Sequence, residues 1–285
     1  MKTPTSLALI AVSALALPAQ AACPSDSDVA LMAARHANLQ LAPNPSPDLT
    51  MADAVCGRGK YTKFLAQNYG KVIGYKAGLT TPAMQKRFNL THPVRGTLFE
   101  KMILHEGAAV PAKFGARPLL EADLVVEVKD AGINKAKTPL EALRHISRIY
   151  PFIELPDALI EDPAKFTGPI LAYINVAARL GVLGKPIDVN ASPALFDALA
   201  SMTVRLVEEG GKELDAAKGS AILQHPMNAV LWLAEDLKKD GVPLKKGQLL
   251  SLGTFSRAHP PKAGTTMRVV YEGLPGNPTV SVRFN

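Results

Sequence analysis

The sequence predicts a mixed α+β fold with a curved, largely antiparallel sheet and a small helical unit in front of it. Three observations carry this reading. Strand-like runs with β-branched enrichment, bounded by Gly or Pro, recur from residue 71 onward: KVIGYKAGL, DLVVEVK, GQLLSL, TMRVVYEG and TVSVRFN. Helical spacing of apolar positions separates some of these runs but not others, so the regular alternation of a doubly wound parallel sheet is missing. The 285-residue chain is 47% hydrophobic and 20% charged, which suits one large domain or one domain with a small appendage. No internal repeat is present.

In chain order, residues 1–21 read as a secretory leader. Met1-Lys2 gives a positive start, and residues 7–17 form an apolar stretch too short to span a bilayer. Ala19-Gln20-Ala21 then offers a small-x-small cleavage site, leaving 285 − 21 = 264 residues in an exported, periplasmic protein. Acylation of Cys23 fits less well, because Gln20 stands where a lipobox carries Leu. Cys23 and Cys56 are the two cysteines of the chain. In an oxidising compartment an even pair favours one disulfide, and neither a zinc set nor a C-x-x-C spacing is present.

Residues 22–70 form the expected helical segment. Helical patterns cover 26–38 and 51–69, with Thr50 as an N-cap and the Pro-rich linker LAPNPSPDLT between them. Residues 71–285 form the expected main α+β domain, with further helices over 139–149, 193–209 and 226–240. The net charge of +7 becomes +6 when the leader takes Lys2 with it. The basic residues are spread along the chain without aromatic interleaving, which argues against a nucleic-acid partner. No apolar run beyond the leader is long enough for a membrane span.

Three carboxylates carry the functional signal. Glu121 and Asp123 stand at i and i+2 in EADLVVEV, on one face of a strand with Cα atoms about 6–7 Å apart. Glu154 lies in the apolar run YPFIELPD. Like charges beside buried hydrophobics need neutralising, and a hard divalent cation with oxygen ligands does this. The competing reading is a solvated strand edge. Lys76 sits inside an apolar strand between Gly74 and Gly78. Burial would lower its pKa toward the catalytic range, and the glycines would let a ligand approach the backbone; otherwise it is a lysine snorkelling at a strand edge. Gly253-Thr254 follows an apolar strand and precedes Arg257, so backbone N–H groups, a hydroxyl and a guanidinium could meet a carboxylate, or simply form a turn. His225 has no second His at ligand spacing and reads as a structural donor, with Trp232 on the buried face of the helix that follows. G-x-S-x-G, P-loop and G-x-G-x-x-G signatures are absent.

The order of these pieces resembles the 2-keto-4-pentenoate hydratase and oxo-hexenoate decarboxylase branch of the fumarylacetoacetate hydrolase superfamily. The matching motifs are G-Y-K-A-G-L-T (74–80), R-G-T-L-F (95–99), the E-x-D strand from Glu121, P-F-I-E-L with Glu154, H-P-x-N-A-x-x-W-L-A (225–234) and L-G-T-F-S-R (252–257). They cover the chain from about residue 57 to its end. The resemblance implies a fumarylacetoacetate hydrolase-like mixed β-roll with an N-terminal helical element, and a divalent metal, Mg2+ or Mn2+, held by Glu121, Asp123 and Glu154. It further implies Lys76 and Glu121 as catalytic residues and Gly253, Thr254 and Arg257 at the mouth for a small 2-oxo acid. The implied reaction is tautomerisation of a 2-hydroxy-dienoate followed by addition of water. Members of the branch often form homo-oligomers and mostly serve cytoplasmic aromatic catabolism, from which an exported chain departs. Three further departures stand in the sequence: Asp123 replaces the second Glu, Val94-Arg95 replaces an acidic residue, and Ile174-Asn175 replaces an Asp-Asn. Decarboxylation, C–C hydrolysis and a binding protein without turnover are the alternatives.

Overall fold

The computed structural model describes residues 23–285. The leader expected over 1–21 lies outside the described residues. Two helices come first, α1 (Asp26–Ala37) and α2 (Met51–Tyr69). Ser25 caps α1 by accepting from the Asp28 amide, with Asp26 and Asp28 in the first turn and Arg35 in the last, the order the helix dipole favours. Thr50 and Asp53 form a reciprocal capping box on α2, as the Thr50 signal indicates. The Cys23–Cys56 disulfide ties the start of α1 to α2, with Cα atoms 5.5 Å apart.

The strands and remaining helices follow: β1 (Val72–Gly78), α3 (Pro82–Arg87), β2 (Val94–Phe99), β3 (Ile103–His105), β4 (Ala108–Val110), β5 (Glu121–Val128), α4 (Pro139–Arg144), β6 (Ile146–Leu155), α5 (Gly168–Tyr173), β7 (Leu180–Leu183), β8 (Ile187–Asp188), α6 (Pro193–Ser201), β9 (Thr203–Glu208), β10 (Glu213–Lys218), α7 (Pro226–Lys239), β11 (Leu249–Ser251), β12 (Thr266–Glu272) and β13 (Thr279–Phe284). Among the described residues these strands build an eight-stranded sheet ordered β2-β1-β11-β5-β6-β7-β3, with β8 beside β6, and a five-stranded sheet ordered β10-β9-β12-β13-β4. Pairing is mostly antiparallel; β1 with β11, β3 with β7 and β4 with β13 are parallel.

Two of the expected helices are shorter than the sequence pattern suggests. The helix over 139–149 stops at Arg144 and β6 begins at Ile146; the helix over 193–209 stops at Ser201 and β9 begins at Thr203. In both cases a helical pattern runs directly into a strand. In β9 the alternation Val204, Leu206 against Thr203, Arg205 is a period of two, and it is satisfied by pairing with β10 and β12. Trp232 is half-buried at the edge of α7, whose buried face is made by Met227, Val230, Leu233 and Leu237.

The main core lies between the two sheets and under α4, α6 and α7, with Leu124, Val126, Ile149, Ile153, Leu206 and Val269 fully buried. A hydroxyl crosses this core. Tyr271 of β12 accepts from the Phe152 amide at 2.9 Å and donates to the Asp123 carbonyl, bridging two residues that are cross-strand partners in β5 and β6. The helical unit packs into a second core shared with Val94, Phe99, Met102 and residues 171–178, so it is fastened to the sheet rather than appended to it. The disulfide closes a loop of 33 residues. Cys56→Ser, measured by urea unfolding against wild type, is expected to lose about 3–4 kcal/mol; equal stability of oxidised and reduced protein would contradict that role.

Candidate metal centre

Pairing register puts the expected ionisable residues on one face of the large sheet. Glu121 lies directly opposite Glu154 across β5 and β6, and Asp123 follows on the same face two residues on. Val125 pairs with Ser251, and Ser251 with Lys76, so Ser251 and Lys76 point to that face too. Beyond Asp123 the face turns apolar, with Val125, Phe152 and Leu249 packed together. The opposite face faces the main core. The alternation of β5 therefore separates carboxylates from hydrophobics, as its sequence indicates.

The charges are deeply placed: Asp123 is 0%, Lys76 3% and Glu154 4% exposed, while Glu121 is half-buried. The Lys76 ammonium donates to Glu154 Oε1 and to the Val176 carbonyl, the latter at 3.0 Å. Breaking such a buried pair on one side costs about 3–5 kcal/mol, because the remaining charge is left without a partner. Asp123 is held from three sides. Its Oδ2 accepts from the Ser251 hydroxyl at 2.7 Å, and its Oδ1 accepts from the amides of Leu124 at 2.5 Å and Gly253 at 3.1 Å.

One ammonium does not balance three carboxylates. Burial, and after it the charge of Glu154, pushes the Glu121 carboxyl up to about 8 and that of Asp123 up to about 7. Lys76 opposes both shifts, and the Ser251 bond opposes the second. The donor set is all carboxylate oxygen, the chemistry of Mg2+ or Mn2+, and the uncompensated negative charge is what a divalent cation would neutralise. A second sign of an intended ligand is Thr80, whose buried Oγ1 has no hydrogen-bond partner and packs onto Gly253. The residues thus fit a hard divalent ion in charge and donor type. Among the described residues no three His, Cys, Asp or Glu side chains are grouped closely enough to hold a metal ion as they stand, and Glu154 is engaged by Lys76.

The other expected site residues serve differently. Gly253 meets Asp123 through its amide. The Thr254 hydroxyl donates to the Ala122 carbonyl at 3.1 Å, and the Ser256 hydroxyl accepts from the Ala122 amide at 2.9 Å, so this turn pins β5. Arg257 is exposed and paired with Asp215 at 3.2 Å rather than turned to the carboxylates. The glycines flanking Lys76 accommodate protein, not a ligand: a Cβ on Gly74 would strike the Leu249 carbonyl and one on Gly78 the Val176 side chain. His225 is structural as expected. It caps α7 by accepting from Met227, bonds the Phe196 carbonyl at 3.0 Å, and stacks on the Phe196 ring. Sequence reasoning gave no role to Ser251 or Thr80 and did not foresee the backbone of 175–177. A serine within the apolar run LLSL was the available signal for the first, Thr80 closed the motif over 74–80, and Asn175 stood out only as the second residue of the family's Asp-Asn.

Surface cavities of about 390, 230 and 440 Å3 lie elsewhere, against α1, against Arg58 and Trp232, and against α6. None of the three is lined by Glu121, Asp123 or Glu154; the second carries Asp236 and Asp240, both paired with Arg95.

No family model matches the chain. It is 26% identical over 245 residues to the 2-oxo-hept-4-ene-1,7-dioate hydratase of Escherichia coli, covering 84% of this chain and 88% of that protein. It is 28% identical over 261 residues to the 2-keto-4-pentenoate hydratase of Burkholderia vietnamiensis, covering 87% and 95%. It superposes on the 4-oxalocrotonate decarboxylase of Pseudomonas putida G7, solved with magnesium and adipate, with a TM-score of 0.78 at 22% identity over 91% of this chain and 97% of the other.

The two raised carboxyls make metal binding and stability depend on pH. Because their folded-state values exceed the ordinary carboxylate range, the folded protein holds protons that the unfolded chain has released. That stabilisation is complete below about pH 4 and is lost as pH rises through about 7 to 8. The melting temperature of metal-free protein is expected to fall between about pH 6 and about pH 9, and Mg2+ to raise it more at the upper end. Glu121→Gln with Asp123→Asn should flatten both trends; a flat wild-type profile would contradict the assignment. In architecture, the chain has the fumarylacetoacetate hydrolase-like fold, a mixed β-roll, and the curated relatives it aligns with over most of its length are hydratases.

Proposed function

We propose that the protein is a metal-dependent carbon–oxygen lyase that adds water to a short 2-hydroxy-dienoate or 2-oxo-enoic acid. The observation that carries the reading is the assembly of Lys76, Glu121, Asp123 and Glu154 on one buried sheet face. Similarity to two curated hydratases over most of the chain supports the reaction class. Glu121, Asp123 and Glu154 would hold Mg2+ or Mn2+, which when bound supplies Lewis-acid polarisation of the substrate's 2-oxo and carboxylate oxygens.

The chain's own residues account for binding and proton movement. Lys76 Nζ carries a transferable proton on the carboxylate face and is fixed by two acceptors. Glu121, with its carboxyl raised toward neutrality, is suited to exchange a proton near physiological pH. In tautomerisation a proton leaves the 2-hydroxyl and one is added at C5, giving the 3-ene. Hydration then adds the water oxygen to C4 and a proton to C3, giving the 4-hydroxy-2-oxo acid. Thr80 Oγ1, buried beside Gly253, suits a hydrogen bond to a substrate oxygen. The buried surroundings strengthen these contacts by excluding water.

A decarboxylase is the second reading, favoured by the superposition on 4-oxalocrotonate decarboxylase. Export to the periplasm is part of the proposal; the Cys23–Cys56 disulfide suits an oxidising compartment, and intact-mass analysis of the secreted chain should find Ala22 at its N-terminus.

Incubation with 2-hydroxypenta-2,4-dienoate and Mg2+ or Mn2+ should bleach the diene absorbance and form a product heavier by one water. Lys76→Ala is expected to slow this by about 10²–10⁴-fold. Release of CO2 from 2-oxo-3-hexenedioate without hydration would favour the decarboxylase. Neither reaction with either metal would leave a binding protein and overturn the enzymatic reading.

A further inference from the structure

The most strained backbone near the carboxylates is the segment 175–177. Asn175, Val176 and Ala177 have φ of 59°, 54° and 55°. Asparagine tolerates the left-handed region, but a β-branched valine there is an outlier, and three successive non-glycine residues hold it only under outside restraint. The restraints are visible. Asn175 is fully buried; its Oδ1 accepts from the Thr97 amide at 2.7 Å and its Nδ2 donates to the Thr97 carbonyl at 2.9 Å. The side-chain amide thereby acts as one more strand residue against β2. Below the turn lie two glycines. A Cβ on Gly96 would come within 2.7 Å of the Asn175 carbonyl oxygen, and one on Gly78 within 2.4 Å of Val176 Cγ1. From behind, the Asp157 amide donates to the Ala177 carbonyl at 2.9 Å.

What the turn delivers is a single carbonyl. Val176 O accepts from Lys76 Nζ at 3.0 Å and is the ammonium's second acceptor beside Glu154. A right-handed or extended path through these residues would turn that carbonyl elsewhere, leaving a buried ammonium with one acceptor.

We propose that Asn175 is a positioning residue for Lys76: its clamp on Thr97 holds the left-handed turn whose Val176 carbonyl aims the ammonium across the carboxylate face. The consequence for turnover rests on the role given to Lys76 above; the geometric claim does not.

Asn175→Gly tests it, since glycine keeps the positive φ without strain and deletes both clamp bonds. A kcat loss of about 10–100-fold is expected, with KM and Mn2+ affinity held within about twofold, because misaimed chemistry rather than lost binding is the defect. In a Lys76→Ala background the same change should cost nothing more. A readout independent of turnover is acetylation of Lys76 by acetic anhydride, followed by peptide mass spectrometry. Its rate is expected to rise at least about fivefold in Asn175→Gly as the amine leaves its closed site. Unchanged labelling, or a kcat loss fully additive with Lys76→Ala, would overturn the proposal, as would a lowered melting temperature with normal labelling and kcat. If Asn175→Gly does not fold, Asn175→Asp, which keeps the acceptor for Thr97 N–H and loses the donor, carries the same readouts at smaller size. If wild type turns over no 2-hydroxy-dienoate, the proposed reaction fails while the labelling ratio still decides the role of Asn175.

Discussion

The ion pair between Lys76 and Glu154 is the contact on which the site depends. It joins β1 to β6 across β11 and β5, strands that come from widely separated parts of the chain. With Lys76 at 3% and Glu154 at 4% exposure, neither charge tolerates losing the other without a replacement. For Glu154 a divalent cation would be such a replacement; for Lys76 it would be an acidic group of the substrate. Lys76 offsets one of the three acidic groups, and a divalent cation would offset the other two, taking Glu154 as a ligand and freeing the lysine for substrate. This links the electrostatics of folding to the chemistry proposed: the residue that pairs with Glu154 in the fold is also the one best placed to move a proton on the carboxylate face.

Much of the surrounding structure keeps this cluster in register. Asp123, shorter by one methylene than the glutamate of the resembled family, is held by Ser251, Gly253 and its own neighbour Leu124, which fix both oxygens close to the main chain. Tyr271 ties the same position to the second sheet from the core side. The Thr254 and Ser256 hydroxyls hold Ala122 on the strand between Glu121 and Asp123. These bonds place the rigid part of the site on β5, while Lys76, a long side chain with two acceptors, is the part able to change partners. Arg257, tied to Asp215 and exposed, stands outside that network.

The parts of the molecule set by short-range pattern were legible in the sequence. The i, i+2 spacing of Glu121 and Asp123 defined their common face, Thr50 marked the start of α2, and the pair of cysteines, read with the expectation of export, indicated the disulfide found between Cys23 and Cys56. Glu154 was recognisable as a charge in an apolar run, and the motif order led to the right fold. What failed was what local pattern does not encode. The helices over 139–149 and 193–209 run straight into strands that exist only because distant partners pair with them. Gly78 looked like space for a ligand, yet it makes room for Val176, brought there by a turn of unusual handedness. Ser251 drew no attention because a hydroxyl in an apolar strand is common, and Thr80 because it follows β1 as a loop residue; only the fold shows that the first faces a buried acid and the second packs onto Gly253.

The most direct test is a crystal structure of the protein grown with Mn2+, with anomalous scattering to locate the ion. The account expects one peak ligated by Glu121, Asp123 and Glu154, with Lys76 Nζ released from Glu154 and still bonded to the Val176 carbonyl. A Lys76–Glu154 pair left intact with no ion on the carboxylate face would contradict it.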